Sequence, residues 1–249
     1  MDKVIILDSI DSTNNYLKTL AGQGAPCGQI VFSRSQSAGR GRLGRSFSSP
    51  PGTGIYMSWL IRPECRPDSI LPITCHTAVA VSDAIYKYCG IKTDIKWVND
   101  LQINGRKVCG ILTEASMSGS SLSYVIVGIG INVNTCPEAF PPEIQDIATS
   151  LFTQTGKKYD IDGLLETIVH ELRRIPINGC SDSSTGSDYY LTSYKKRNIV
   201  PGNNVRIITP LGEKNAQALC INDDFSLKVR LEDGTIEDLA TSEVSIRKQ

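Results

Sequence analysis

Gly39-Arg40-Gly41-Arg42-Leu43-Gly44-Arg45 is the stretch on which the reading of the fold turns. Taken literally it matches Gly-x-Gly-x-x-Gly, the fingerprint of a doubly wound dinucleotide-binding sheet. That fingerprint works only where it follows a strand and opens a helix, whose N-terminus then meets a pyrophosphate. A strand is expected just upstream, at Gln29 to Arg34. Downstream, Ser46-Phe47-Ser48-Ser49-Pro50-Pro51-Gly52-Thr53-Gly54 carries two prolines and two glycines, so no helix starts there. Arginine at two of the variable positions is also foreign to a loop that relies on a helix dipole. The dinucleotide fold is therefore set aside, and the loop calls for another explanation.

Three glycines let the backbone turn tightly and approach a ligand. Three arginines supply forked donors suited to phosphate and carboxylate. No acidic residue lies between Asp11 and Glu64, whereas six basic ones do: Lys18, Arg34, Arg40, Arg42, Arg45 and Arg62. The whole chain has a formal net charge of zero. Positive charge gathered around a glycine-rich loop in a neutral protein points to a held anion, although a charge cluster is more often a solvated surface.

The 249 residues fit one large domain or two unequal ones, with an ordinary globular composition. The longest apolar stretch, Val125 to Ile131, is interrupted by glycine and too short to span a bilayer. Met1-Asp2-Lys3-Val4-Ile5-Ile6-Leu7-Asp8 reads as a strand, not a secretion signal. Eight cysteines form no Cys-x-x-Cys pair and have no histidine cluster beside them, so reduced thiols in a cytoplasmic protein are expected. His76 and His170 are the two histidines. Both fall in helical patterns and read as structural, which argues against histidine-centred acid–base catalysis.

Along the chain, Val4 to Leu7 is a strand, and Asp11-Ser12-Thr13 caps a short helix carrying Tyr16, Leu17 and Leu20. Strands are expected at Gln29 to Ser33 and Gly54 to Ile61. The main helix runs from Ser69 to Cys89 on its spaced apolar residues. Ile95 to Trp97, Leu101 to Ile103 and Lys107 to Glu114 read as strands, with Asn104-Gly105 as a hairpin turn. Leu122 to Val133 is a buried strand and Ile161 to Ile175 an amphipathic helix. Gly179 to Ser187 reads as a polar loop. After Tyr194 come strands at Val205 to Thr209, Ala216 to Ile221, Leu227 to Leu231 and Val244 to Arg247, with no helix. They make a small β-barrel-like module, of a size that is marginal alone.

A second unusual region is Lys96-Trp97-Val98-Asn99-Asp100 followed by Lys107-Val108-Cys109-Gly110-Ile111-Leu112-Thr113-Glu114. Asn-Asp at a strand end is ordinarily only a turn. A lysine on a hairpin is ordinarily solvated. Gly110 inside an apolar strand marks a bulge or an atom that must approach the backbone. In Gly128-Ile129-Gly130-Ile131-Asn132, the asparagine either reads a base edge or satisfies a turn.

In order, Asp11-Ser12-Thr13-Asn14, Gln36 to Arg45, Lys96-Trp97-x-Asn99-Asp100, Gly110-Ile111-Leu112 and Gly128 to Asn132 resemble the motif set of biotin protein ligases. The resemblance covers essentially the whole chain. The arginine loop and the Lys-Trp-x-Asn-Asp motif are highly specific together. The family usually has proline where this chain has Val98, and tryptophan where it has Phe47. Valine can hold an extended backbone, and phenylalanine keeps a flat face for adenine with weaker stacking.

The resemblance implies an α+β fold. A class II aminoacyl-tRNA synthetase-like catalytic domain, residues 1–195, precedes a small SH3-like barrel, residues 196–249. It implies an ATP-dependent enzyme that joins biotin to AMP, releasing pyrophosphate, and then passes biotin to a lysine of a biotin carboxyl carrier domain. By resemblance, Ser12, Thr13, Asn14, Gln36, Gly39, Arg40, Lys107 and Gly110 bind biotin. Arg42, Arg45, Phe47, Asn99 and Asn132 bind ATP, and Arg42, Lys107 and Asp100 act in catalysis. Asp100 either orients the incoming lysine or helps to hold Mg2+. The first step brings two anions together, so positive groups must neutralise the charge that builds on the phosphoryl oxygens. Many bacterial members carry an N-terminal DNA-binding domain; this chain starts at the first catalytic strand, so no DNA binding is expected. Neither is a membrane partner, whereas a homodimer is allowed. The competing readings are a lipoate or octanoate ligase and a non-catalytic biotin-binding regulator.

Overall fold

The computed structural model describes residues 4–62, 70–118, 121–177, 186–209, 212–240 and 243–246. Its centre is β3 (Gly54–Ile61), in which every residue is buried. A strand covered on both faces needs apolar residues at nearly every position. Gly-Ile-Tyr-Met-Ser-Trp-Leu-Ile supplies them, with Ser58 as the polar exception. The sheet around it has seven strands. They are β1 (Val4–Leu7), β2 (Ile30–Ser33), β3, then β7 (Ser121–Asn132), β6 (Arg106–Ser118), β5 (Asp100–Ile103) and β4 (Asp94–Lys96). Only the β1–β2 pair is parallel. Asn104 and Gly105 both have positive φ, 51° and 76°, and close the β5–β6 hairpin as the Asn-Gly dipeptide demands.

The two faces are covered unequally. The main core joins the sheet to α2 (Ile70–Cys89), α4 (Ile161–Arg173) and α5 (Ser187–Arg197). On the other face α1 (Thr13–Gly22) buries Leu17 and Ala21 against Val31, Leu60 and Ile126. Helix α1 has ten residues and covers only part of that face. Among the described residues no helix is long and apolar enough to cross a membrane.

A second sheet follows, antiparallel, in the order β11 (Ile236–Leu239), β10 (Leu227–Leu231), β9 (Gly212–Ile221), β8 (Asn204–Thr209), β12 (Glu243–Ile246). The fold is thus α+β, a mixed sheet with helices plus a small antiparallel sheet. Strand β11 was not expected from sequence. Its Glu237 and Asp238 break an apolar pattern, but it lies at the sheet edge, where charged residues are suitable. Helix α5 was not expected either. It is polar nearly all round, and among its described side chains only Tyr190 and Tyr194, one turn apart, are buried. The short α3 (Leu151–Thr155), capped by the Ser150 hydroxyl, was also missed. Most of the expected loop at Gly179 to Ser187 lies outside the described residues. Cys75, Cys89, Cys109, Cys136 and Cys220 are free, as expected, whereas Cys27 is disulfide-bonded, which corrects the expectation at that residue. Spacing along the chain does not reveal which thiols meet in space.

Candidate active site

The part of the sheet face left open by α1 becomes a trough, because its residues lack side chains. Side chains alternate along a strand, so Ser58, Gly128 and Leu112 share one row across β3, β7 and β6. The next row holds Tyr56, Gly130 and Gly110. A Cβ on Gly128 would run into the Asn14 amide, and one on Gly130 into the Phe47 ring. A Cβ on Gly110 would meet Lys107 Cε at 2.9 Å. These glycines are where the backbone itself forms the floor. The sequence motif contained Gly128 and Gly130, but the site assignment omitted them. Their spacing of two, opposite Gly110, was the available signal.

Lys107 reaches this floor because of a bulge. Leu101 pairs with Cys109 but Gln102 pairs with Lys107, so Val108 is an extra residue in β6. Without it Lys107 would share the face of Cys109 and Ile111, toward the core. With it, Lys107 joins Gly110 and Leu112 in facing the trough. Its ammonium lies 2.6 Å from Asp100 Oδ1. That oxygen is buried and accepts no well-aligned hydrogen bond, so the contact is chiefly Coulombic.

The polar end of the trough is built around α1. Ser12 occupies the N-cap position, yet its side chain makes no capping bond, which corrects the expected cap. Gln36 ties down the first helical residue instead, its Oε1 accepting from the Thr13 N–H at 2.9 Å and the Thr13 hydroxyl at 3.1 Å. The buried Ser12 side chain borders the pocket. Asn14 donates to Glu114 Oε2 at 2.7 Å, and its Oδ1 lies 2.5 Å from Ser58 Oγ.

The arginine loop folds back as a tight excursion. The Phe47 N–H donates to Gly39 O, the Gly41 N–H to Arg45 O, and Leu43 and Gly44 both take positive φ. Gly39 does not line the pocket. A Cβ there would collide with Phe47 O and Ser49 Oγ, so its smallness serves closure of the loop. Arg40 pairs with Glu114 at 3.1 Å, and Lys18 shares that carboxylate at 2.7 Å. Arg34 lies 3.4 Å from Asp162, and Arg62 donates to the carbonyls of Ala21 and Ala25. Much of the charge that looked unbalanced along the chain is therefore answered by residues distant in sequence. Arg42 donates to Asn99 Oδ1 at 3.2 Å, and Asn99 in turn donates to Ile111 O at 2.7 Å. Phe47 lays its ring on Gly130 and Gly110.

The pocket thus brings together Ser12, Thr13, Asn14, Gln36, Arg40, Arg42, Arg45, Phe47, Asn99, Asp100, Lys107 and Gly110. It does not include Asn132. The Asn132 side chain is buried and donates to Thr149 O at 3.0 Å, and the segment it holds pairs with the Lys107 backbone through Ile147 and Thr149. Asn132 here braces the frame of Lys107. Lys96, Trp97, Met57 and Leu112 also border the pocket. Among the described residues no three His, Cys, Asp or Glu side chains gather to hold a metal.

With this geometry in view, the likeness to known proteins is informative. The family described as Biotin/lipoate A/B protein ligase matches residues 6–132. This chain belongs to that family. It is 37% identical over 231 residues to the bifunctional ligase/repressor BirA of Bacillus subtilis, covering 93% of this chain and 70% of the relative. It is 38% identical over 174 residues to the biotin–[acetyl-CoA-carboxylase] ligase of Paracoccus denitrificans, covering 68% and 71%. The biotin protein ligase of Aquifex aeolicus in complex with biotin and ATP superposes with a TM-score of 0.80 at 26% identity, over the full length of both chains.

Glu114 was not among the site residues assigned to this family member from sequence, yet it is the hub of the polar end. Burial raises its pKa, but hydrogen bonds from Lys18 and Asn14 and the charges of Lys18 and Arg40 outweigh that and hold it below 4.5. A depressed carboxylate stabilises the fold fully above its unfolded pKa and loses that contribution as pH falls through the folded value. Glu114→Gln should therefore lower stability at neutral pH, by about 1–2 kcal/mol given partly exposed partners. Denaturant titrations of both proteins should converge as the pH is taken well below 4.5. A gap that persists unchanged in acid would show that the charge is not responsible.

Proposed function

We infer that this chain is an ATP-dependent biotin ligase. It forms biotinyl-5′-AMP and transfers the biotinyl group to a lysine of a biotin carboxyl carrier domain. The observation that carries the chemistry is the convergence of Lys107 and Arg42 over a floor of backbone at Gly110 and Gly130. The names of the relatives select biotin over lipoate. Ser12, Thr13, Asn14, Gln36 and Arg40 form the polar end for the biotin ring, and Gly110 admits the acyl tail beside β6.

The biotin carboxylate attacks the α-phosphorus of ATP, and pyrophosphate leaves. Two anions must meet, so the barrier is largely electrostatic, and fixed positive groups lower it. Lys107 and Arg42 stand where that charge develops, and Arg45 holds the departing pyrophosphate. In the second step the carrier lysine, as free amine, attacks the acyl carbon and AMP leaves. Asp100 is the only carboxylate among the residues bordering the pocket. It suits either positioning that amine or contributing one ligand to Mg2+, which is bound mainly by phosphates and water. Mg2+ when bound supplies further charge neutralisation on the phosphates. Phe47 offers its ring face to adenine, and Asn99 is the nucleotide-facing amide that also holds Arg42.

On this reading residues 1–195 form a catalytic domain of class II aminoacyl-tRNA synthetase type and residues 196–249 an SH3-like barrel. The protein works in the cytoplasm and has no role on DNA. With formal net charge zero, it lacks the basic excess on which DNA affinity largely rests.

The assignment is tested by pyrophosphate release with ATP and Mg2+, comparing biotin, lipoate and octanoate, followed by mass spectrometry of a carrier domain. Biotin alone should support release and give the adduct; transfer of lipoate in its place overturns the assignment. The glycine floor gives a second test. Gly128→Ala should displace Asn14 and raise the KM for biotin about tenfold, through the lost polar contacts. An unchanged KM would mean that Asn14 does not contact the ligand.

A further inference from the structure

The turn between β9 and β10 carries Phe225, which inserts into the catalytic part of the chain. Its ring, 4% exposed, meets His76 of α2 at 5.2 Å and Tyr194 of α5 at 5.4 Å, both edge-on. Tyr190 stacks against His76 at 4.8 Å and completes the cluster. Phe225 has φ 67°, a conformation that a bulky residue adopts only under constraint. The turn imposes it: the Phe225 N–H donates to Asn222 O, the Asn222 N–H donates to Ser226 O, and Asp224 accepts from the Ser226 N–H and hydroxyl.

That conformation aims the Phe225 carbonyl at the active site. Trp97 Nε1 donates to it at 3.0 Å, in a fully buried bond. The Tyr194 hydroxyl donates to Val98 O at 3.0 Å, and the next residue, Asn99, holds Arg42. The backbone around Trp97 and Val98 is thus fixed by the aromatic cluster, whereas the biotin end at Ser12 and Gln36 is fixed by α1 and β2.

We propose that Phe225 is a positioning residue: through Trp97 and Asn99, the C-terminal module sets the Arg42 side of the pocket and leaves the biotin-binding end untouched. The role in catalysis rests on the ligase reading above; the contact itself does not. A displacement of about 1 Å at a reacting centre costs on the order of 10²-fold in rate. Phe225→Gly keeps the left-handed turn accessible and removes only the ring. In the full chain it should slow single-turnover adenylate formation roughly 10- to 100-fold. Biotin affinity, by calorimetry without ATP, should stay within about twofold, since none of its contacts changes.

Trp97→Phe removes the indole donor, and the double variant should be no more than about twofold slower than the slower single variant, since the two residues act as one unit. Multiplying effects, an unchanged rate, or rate and biotin affinity falling together each overturn the proposal. If the glycine variant does not fold, Phe225→Leu is read against the same criteria. A readout independent of catalysis uses Trp59→Phe, which leaves Trp97 as the only tryptophan of the two. Adding Phe225→Gly should shift Trp97 emission to longer wavelength as its indole is released to water. An unaltered spectrum overturns the contact, whereas failure of the parent protein to form any adenylate would overturn the ligase reading instead.

Discussion

Lys107→Ala should lower the rate of adenylate formation on the order of 10²- to 10³-fold, the loss seen when one fixed charge-stabilising donor is removed. Lys107 is held on the pocket side by the Val108 bulge, and its backbone is pinned by the Ile147–Thr149 segment. Its ammonium is therefore positioned before substrate arrives. The loss should appear in the single-turnover rate, because the charge matters most as it builds in the transition state. The substitution also leaves Asp100 without its ion partner at 2.6 Å, so some destabilisation is expected. Lys107→Arg separates the two effects, since it keeps the charge but replaces a compact ammonium by a planar fork. Far-UV circular dichroism and a thermal melt should show both variants folded. A Lys107→Ala protein that forms adenylate at the parent rate would remove the electrostatic argument for this pocket.

Arg42→Gly should change the fate of the adenylate. The Arg42 guanidinium ties the loop to Asn99 at 3.2 Å, and the loop already contains Gly39, Gly41 and Gly44. A further glycine removes the tie and adds backbone freedom, so the loop spends less time closed over the intermediate. A mixed anhydride released to solvent acylates any accessible amine. Biotin should then appear on bystander proteins added to the reaction, and on free lysine, with little regard for sequence. Adenylate formation should also slow, by on the order of 10²-fold, because on the proposed reading Arg42 is one of the charges that face the phosphates. Streptavidin blotting of a mixed-protein reaction reads the first effect and single-turnover kinetics the second. Biotinylation confined to the carrier domain, at the parent rate, would show that Arg42 is neither tether nor catalyst.

Much of this molecule was legible in the chain. The two prolines after the arginine loop excluded a dinucleotide sheet, because a ring-locked backbone without N–H groups cannot open a helix. Asn104-Gly105 fixed the β5–β6 hairpin, since both positions need positive φ. Twelve of the residues assigned to the site do border one pocket. Local chemistry decides these features, so local sequence reveals them.

The remainder depended on which distant residues meet. Glu114 answers Arg40 and Lys18 across separations of 74 and 96 residues, so a loop that looked unopposed in sequence is partly neutralised in space. Ser12 stands at the N-cap of α1 without a side-chain capping bond, and Gln36, from the loop after β2, binds the Thr13 N–H instead, a contact across 23 residues that local sequence does not announce. Strand β11 and helix α5 lacked a periodic apolar pattern, the first being a charged edge and the second being fastened by two tyrosines. Asn132 was read for its position in a motif, but the backbone of Thr149 claims its amide. The bulge at Val108 is the clearest case. Sequence alone determined that a lysine stands three residues before a glycine on an apolar strand. Only the register of β5 against β6 decided that this lysine faces the trough, because one extra residue in a strand with a repeat of two exchanges its faces.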